Sequence, residues 1–416
     1  MTRPPIRLAA ALFAFTLTTA GCAATKPDGD GSAAAAPGVT ASTITLGVLT
    51  DRTGPFAAAG TAIELGRRLY WDAQNAAGGV CGRAVQFTLK DHAYKTDQAV
   101  TTYAQLKDDV LALDELLGSP EIAALSDTLE QDKMPTMAVS WSSALLANPY
   151  VIMTGTTYDV EMINAVDWLM RDRGLARGAA VGHIYLEGDY GANALAGSTA
   201  AAAENGLTLR PSQIKGTDTD LTAQVTALHN QGVRFVLLST SSAQTASAVS
   251  VAEANGFDMS FVGSNPSFSP ALLAGPARAA MQKRYHMVAS TAPLSSTAAG
   301  PVKLLAEITA KAPEQAKSAG PFTVYGYAHG MIMRQILEAA CAGGAALTRD
   351  GVLTAFQSLT TVQTDGLIAP LDYSKPGQIP ARQVFVARPD ATVPGGLTQV
   401  QDLFAAPLAT TFAPKG

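Results

Sequence analysis

Serine, threonine and tyrosine recur in this sequence where chain direction changes, and Lys and Arg are scarce at the same places. The segments are Asp51 to Gly60, Gly118-Ser119-Pro120, Ser140-Trp141-Ser142-Ser143, Glu187 to Tyr190, Ser239 to Ser242 and Gly263 to Ser267. Ser119 stands just before a helix start, where free backbone N–H groups and the helix dipole favour an anion. Loops of this kind suit a carboxylate held by neutral donors. Bond-making chemistry is harder to place. His183, His229, His286 and His329 could each partner a serine, but there is no G-x-S-x-G, no H-E-x-x-H and no Walker loop. Asp91-His92 has no second ligand pair at metal spacing. No enzyme activity, metal or cofactor is expected; a secreted hydrolase is a remote alternative.

The elements that must position these loops alternate. Ile44 to Leu49 is a β-branched strand, followed by a helix with apolar residues from Ile63 to Ala76 that stops at Gly78-Gly79. The rhythm continues with a strand at 84–89, a helix at 96–107, a strand at 116–118, a helix at 120–132 and a strand at 136–139. It resumes after Tyr158 with helix 160–170, strand 178–185, helix 193–205, strand 207–214, helix 221–230, strand 234–238, helix 243–255 and strand 260–262. Strands alternating with helices of about ten residues mean βαβ units, hence a parallel sheet with helices on both faces. The units are too many for one ordinary sheet, so two consecutive α/β lobes are expected, joined near 151–157. Beyond 285 the pattern loosens: a strand at 285–290, helices at 304–311, 324–340 and 351–358, and a hairpin-like tail with a strand at 383–387.

The chain has 416 residues, a formal charge of −5 and no basic block, which argues against a nucleic-acid partner. Arg3 and Arg7 precede the short apolar run Leu8 to Leu17, which is far below the ~20 residues that span a bilayer and reads as a signal peptide. Thr19-Ala20-Gly21-Cys22 resembles a bacterial lipobox, with Thr19 where Leu is usual; Cys22 would carry lipid, and a plain secretory signal is the alternative. Residues 23–41, rich in Ala, Gly, Asp and Pro, suit a flexible tether. Of three cysteines, Cys81 and Cys341 then remain, and an oxidising compartment favours their pairing over two free thiols.

The stretches ITLGVLTDRTGPFAAAG, NAAGGVCGRAV and LKDHAYKTDQAV, then LEGDYGANAL, FVLLSTSS and FVGSNPSF, resemble the type I periplasmic binding proteins of the leucine/isoleucine/valine-binding branch. The resemblance covers about residues 43 to 390. It implies two doubly wound parallel-sheet lobes joined by a three-segment hinge, with lobe 1 from 42–152 plus 292–365 and lobe 2 from 153–291 plus 366–416. Cys81 and Cys341 then share a lobe. By position, Ser119 and Ser142 match residues that hold a ligand carboxylate, and Ser140 and Trp141 match neighbours that contact it. Tyr190 matches an aromatic that closes over the ligand, and Ser241 a position that is often Tyr. Asn265 stands where the amino-acid binders carry the acid that receives the ammonium group; Asp159, Glu187 or Asp189 would have to serve instead, or the ligand is no amino acid. Tyr325 heads a helix near the hinge. Each residue has a plainer job open to it: Ser119 as a helix cap, Ser140 and Ser142 as loop hydroxyls, Tyr190, Trp141 and Tyr325 in packing, Asn265 in a turn.

The resemblance implies a monomeric, membrane-anchored, extracytoplasmic substrate-binding lipoprotein of an ABC transporter. It would take a branched-chain or other amino acid, or a related carboxylate or amide, and deliver it to a permease. A sensor of the same fold is the alternative.

Overall fold

A computed structural model describes residues 36–342 and 347–414. The expected signal peptide, Cys22 and residues 23–35 of the tether lie outside the described residues. Ala35–Gly416 forms one compact unit.

The first lobe opens with β1 (Thr43–Thr50), α1 (Ala57–Ala76), β2 (Ala84–Asp91), α2 (Thr96–Leu106), β3 (Leu113–Leu117), α3 (Ser119–Gln131), β4 (Thr136–Val139) and β5 (Val151–Met153). The five strands make a parallel sheet in the order β2-β1-β3-β4-β5. The second lobe continues with α4 (Tyr158–Asp172), β6 (Ala180–Leu186), α5 (Asp189–Asn205), β7 (Thr208–Ile214), α6 (Thr222–Asn230), β8 (Phe235–Ser239), α7 (Ser242–Ala254), β9 (Ser260–Gly263), α8 (Arg278–Arg284) and β10 (Tyr285–Ala289). The chain then returns to the first lobe with α9 (Ala299–Lys311), α10 (Pro321–Ala342) and α11 (Arg349–Ser358), and a small antiparallel pair, β11 (Thr361–Val362) with β12 (Leu371–Asp372). It ends with β13 (Val384–Pro389), β14 (Leu397–Phe404) and α12 (Pro407–Thr411). The second sheet runs β14-β13-β10-β9-β8-β6-β7, with β13 antiparallel to both its neighbours and the other strands parallel. This is the two-lobed α/β class expected.

Buried aliphatic strands carry both sheets: Ile44, Leu46, Val48 and Leu49 in β1 and Val236, Leu237 and Leu238 in β8 are fully buried. Such runs, buried on both faces, are what a parallel sheet between two helical layers requires. None of the described helices is long and apolar enough to cross a membrane. A disulfide joins Cys81, in the turn after α1, to Cys341 at the end of α10.

Several chain segments meet between the lobes. The Thr156 N–H donates to the Ser290 hydroxyl (3.2 Å), and the Thr156 hydroxyl donates to the Gln383 carbonyl (2.8 Å). Residues 367–369 bond the backbone of Ser290 and Ala292, after which the chain turns back to β12 and then passes Thr156 at Ala381. Gly155, with φ +127°, lies where a Cβ would meet the Trp141 indole nitrogen at 2.8 Å and the Ser290 hydroxyl at 2.5 Å. The hinge therefore packs directly against a residue of the cleft.

Candidate ligand cleft

The carboxyl ends of β1, β3 and β4 face those of β6, β8 and β9 across the cleft, the usual position for a ligand in open α/β sheets. Between the lobes lies a cavity whose empty space, counted out to open solvent, is about 320 Å³. Phe56, Ala59, Tyr94, Leu117, Gly118, Ser119, Val139, Trp141 and Phe322 line it from the first lobe, and Tyr158, Tyr190 and Pro266 from the second. No side chain with a full charge is among them. Aromatic rings gather here: Tyr158 and Tyr190 of the second lobe have centroids 4.4 Å apart, and across the gap Phe56 lies edge-on to Tyr190 at 6.5 Å. A second groove of about 370 Å³ shares Phe56, Ala59, Pro266 and Phe322 and extends past Ser242 and Phe268.

Gly118 begins α3 with φ +109°, a conformation that favours glycine. A Cβ there would also strike the Glu121 carboxyl at 2.0 Å. Glu121 thus folds back over the start of its own helix, where negative charge is favoured. It is nonetheless buried, and burial, reinforced by the nearby Asp51 charge, pushes it up to about 7.

Ser119 lines the cavity, and its hydroxyl shares a 2.7 Å hydrogen bond with that of Ser140. The Ser142 N–H donates to Ser140 Oγ (3.2 Å), while the Ser142 hydroxyl is buried with no partner. Trp141 walls the cavity and donates from Nε1 to the Thr154 carbonyl (2.9 Å), which ties it to the hinge. Tyr190 also lines the cavity, and its hydroxyl bonds Ser264 Oγ at 2.6 Å. Asn265 is buried beside the cavity residue Pro266, with both side-chain polar atoms unpartnered.

The remaining two candidates stand elsewhere. Ser241 caps α7 in a reciprocal arrangement with Gln244. Tyr325 sits at the hinge: its hydroxyl lies 2.5 Å from Thr154 Oγ1 and donates to the Ala138 carbonyl at 2.8 Å. Neither lines the cavity.

The acids proposed to replace position 265 are committed in different ways. The Asp159 carboxylate accepts from Thr157, from Ser143 (2.6 Å) and from Asn193 (3.2 Å). Asp189 opens α5, half-buried and raised by that burial. Glu161 escaped the sequence reading because it sits inside an ordinary helical run. It is fully buried on α4, one turn after Tyr158, and burial holds its carboxyl far above the usual carboxylate range. Tyr94, Tyr158 and Phe322 were missed as well, since they come from three distant segments with no shared local pattern, whereas Phe56 lies in the candidate loop Asp51 to Gly60.

No histidine lines the cavity. His183 is buried between the hydroxyls of Ser198 (2.8 Å) and Ser239 (3.0 Å), and burial lowers it to about 3. Among the described residues no group of three or more His, Cys, Asp or Glu is placed to hold a metal.

Comparison with known proteins agrees with this arrangement. A family model described as periplasmic binding protein matches residues 43–394. Among solved structures, a fatty acid ABC transporter substrate-binding protein from Thermomonospora curvata is 38% identical, over 91% of this chain and 96% of that one, with a TM-score of 0.88. A branched chain amino acid ABC transporter from Thermus thermophilus with bound valine shares the fold at 17% identity, over 90% of this chain and 99% of that one, with a TM-score of 0.79. A possible leucine/isoleucine/valine-binding protein from Rhodopirellula baltica SH 1 does so at 18% identity, covering 86% and 96% of the two chains, with a TM-score of 0.77. No curated protein sequence matches. With most of its length matched by the family model and two lobes closing on one cleft, the chain belongs to the type I periplasmic binding proteins, the kind resembling leucine/isoleucine/valine-binding proteins.

Proposed function

We propose that this chain is the extracytoplasmic substrate-binding component of an ABC transporter, anchored by lipid on Cys22, which closes its lobes on a small carboxylic acid with an apolar body. The observation that carries the reading is the cavity wall: aromatic and aliphatic side chains from both lobes, with no charged side chain among them. An amino acid would bring an ammonium group that needs an ionised carboxylate. Asn265 is neutral, Asp159 is bound by three side chains, and burial holds the Glu161 carboxyl well above the usual carboxylate range, which disfavours its charged form. The relative from Thermomonospora curvata is named for fatty acid transport, which favours an aliphatic acid over the branched-chain amino acids the motifs imply. Trp141 and Phe322 would bed the apolar body on the first lobe, and Tyr190 would cover it as the second lobe swings in. A permease would then recognise the closed monomer. No bond is made or broken.

Thermal unfolding of the chain from residue 36 onward, with and without octanoate, decanoate, leucine, valine or phenylalanine, tests this. A ligand at a hundred times its dissociation constant adds about 2.7 kcal/mol, so octanoate or decanoate is expected to raise Tm by several degrees. A rise with leucine or valine and none with either fatty acid would overturn the ligand class.

A further inference from the structure

The polar groups around the second-lobe end of the cavity are almost all matched to one another. Tyr190 bonds Ser264 (2.6 Å), and Tyr285 bonds Ser267 (2.7 Å), which in turn donates to the Ser264 carbonyl. Three atoms among them have no partner: Glu161 Oε1, Asn265 Oδ1 and Asn265 Nδ2. They belong together, because the Asn265 N–H donates to Glu161 Oε2 at 3.3 Å. Both residues are 1% exposed or less. A buried polar group without a partner is costly, and burying three in one spot is unusual. Their neighbours in sequence place them: Tyr158, on the same face of α4, and Pro266, next to Asn265, both line the cavity.

We propose that Glu161 and Asn265 form the headgroup receptor of the cleft: the Glu161 carboxyl and the Asn265 amide take the ligand's carboxyl group, while its apolar body lies among the aromatic rings. The proposal rests on the ligand class argued above and adds where the head is held. Two carboxyls in contact cannot both ionise, so the pair shares one proton and forms a strong hydrogen bond. The Asn265 N–H2 group supplies a second donor to the ligand oxygen. The head then sits on the second lobe, where two adjoining residues offer three unpartnered polar atoms; among the first-lobe serines of the cleft, Ser119 and Ser140 are joined to each other, and Ser142 alone has a hydroxyl without a partner. The Asp159 charge bears on Glu161 as well, raising it further.

Calorimetric titration of the chain from residue 36 with octanoate, 1-octanol and leucine tests this. Wild type is expected to bind octanoate, and Glu161→Leu to bind it about 10- to 100-fold more weakly, the size of a hydrogen bond to a charged group. Glu161→Gln keeps a donor and is expected to lose about fivefold or less. Octanol, which lacks the carboxyl, should bind all three proteins within about threefold. Should Glu161→Leu fail to fold by circular dichroism, Asn265→Ala takes its place, with a loss of about tenfold expected. Unchanged octanoate affinity in Glu161→Leu or Asn265→Ala would overturn the headgroup assignment alone. Wild type that binds leucine, lost in Glu161→Gln, would overturn it too, by making Glu161 an ammonium partner. Wild type that ignores octanoate would remove the ligand class and the assignment together.

Discussion

Glu121 is an acid kept where ionisation is expensive. Its carboxyl curls over Gly118 at the first-lobe side of the cavity, buried, with Asp51 nearby, and is pushed up to about 7. Between its ordinary value near 4.5 and about 7, the folded protein holds this proton more firmly than the unfolded chain does. Stability from this group is therefore present below pH 4.5 and is lost as pH rises through about 7. Glu121→Gln has no proton to lose, so its Tm relative to wild type should climb from pH 4.5 to 7 and level off above. The limit is about 3 kcal/mol, from the size of the displacement. The buried histidines titrate alike in both proteins and cancel in the difference. A pH-independent difference would show that Glu121 is ionised throughout. At this scale the sequence was legible only in part. Ser119, Trp141 and Tyr190 stand in recognisable loops and do line the cavity. Glu161 and the ring of aromatics do not announce themselves, because burial and convergence are properties of the folded chain.

Elements were legible where local pattern and tertiary demand agree. β1 and β8 are apolar runs closed by turn residues, and both were readable. β3 begins at Leu113, three residues before the expected Leu116, because Asp114 and Glu115 look like loop residues; in the fold Glu115 is buried against Arg67. α9 begins at Ala299, five residues early, since Pro301 is tolerated in a first turn. β14 (LTQVQDLF) was missed: its polar residues suit an edge strand, and only pairing with β13 makes it one. The disulfide shows the same division. Cysteine parity suggested the pair, and the packing of α10 against α1 brings the sulfurs together. The cross-link spans 260 residues, so it should restrict the unfolded chain strongly. Cys81→Ser with Cys341→Ser is expected to lower stability by about 2–5 kcal/mol. Equilibrium unfolding in urea measures it, and an unchanged midpoint would mean that the cross-link constrains nothing the fold does not already hold.

At the scale of the molecule, the two lobes are held near each other by a small polar latch beside the hinge. Ser143 of the first lobe donates to the Asp159 carboxylate of α4 at 2.6 Å, and Asn193 of α5 donates to Ser143 Oγ at 2.7 Å and to Asp159 at 3.2 Å. Asp159 is fixed in turn by Thr157 and by the Val160 N–H at 2.7 Å. The two bonds of Ser143 cross from one lobe to the other and exist only when the lobes are together, so they bias an open–closed equilibrium toward closure. Ligand binding draws on the same equilibrium, and a weaker latch lowers apparent affinity by depopulating the closed form. Asn193→Ala removes one of the two Ser143 bonds, along with its bonds to Asp159 inside the second lobe, without touching a cavity residue. One neutral hydrogen bond is worth about 0.5–1.5 kcal/mol, so octanoate should leave roughly 2- to 10-fold faster, with its association rate nearly unchanged. The ligand-free protein offers an independent reading. Small-angle scattering should give a larger radius of gyration for Asn193→Ala than for wild type, and saturating ligand should bring the two together. Equal radii without ligand, together with equal dissociation rates, would mean that hinge packing alone sets the distance between the lobes and that the latch follows closure without driving it.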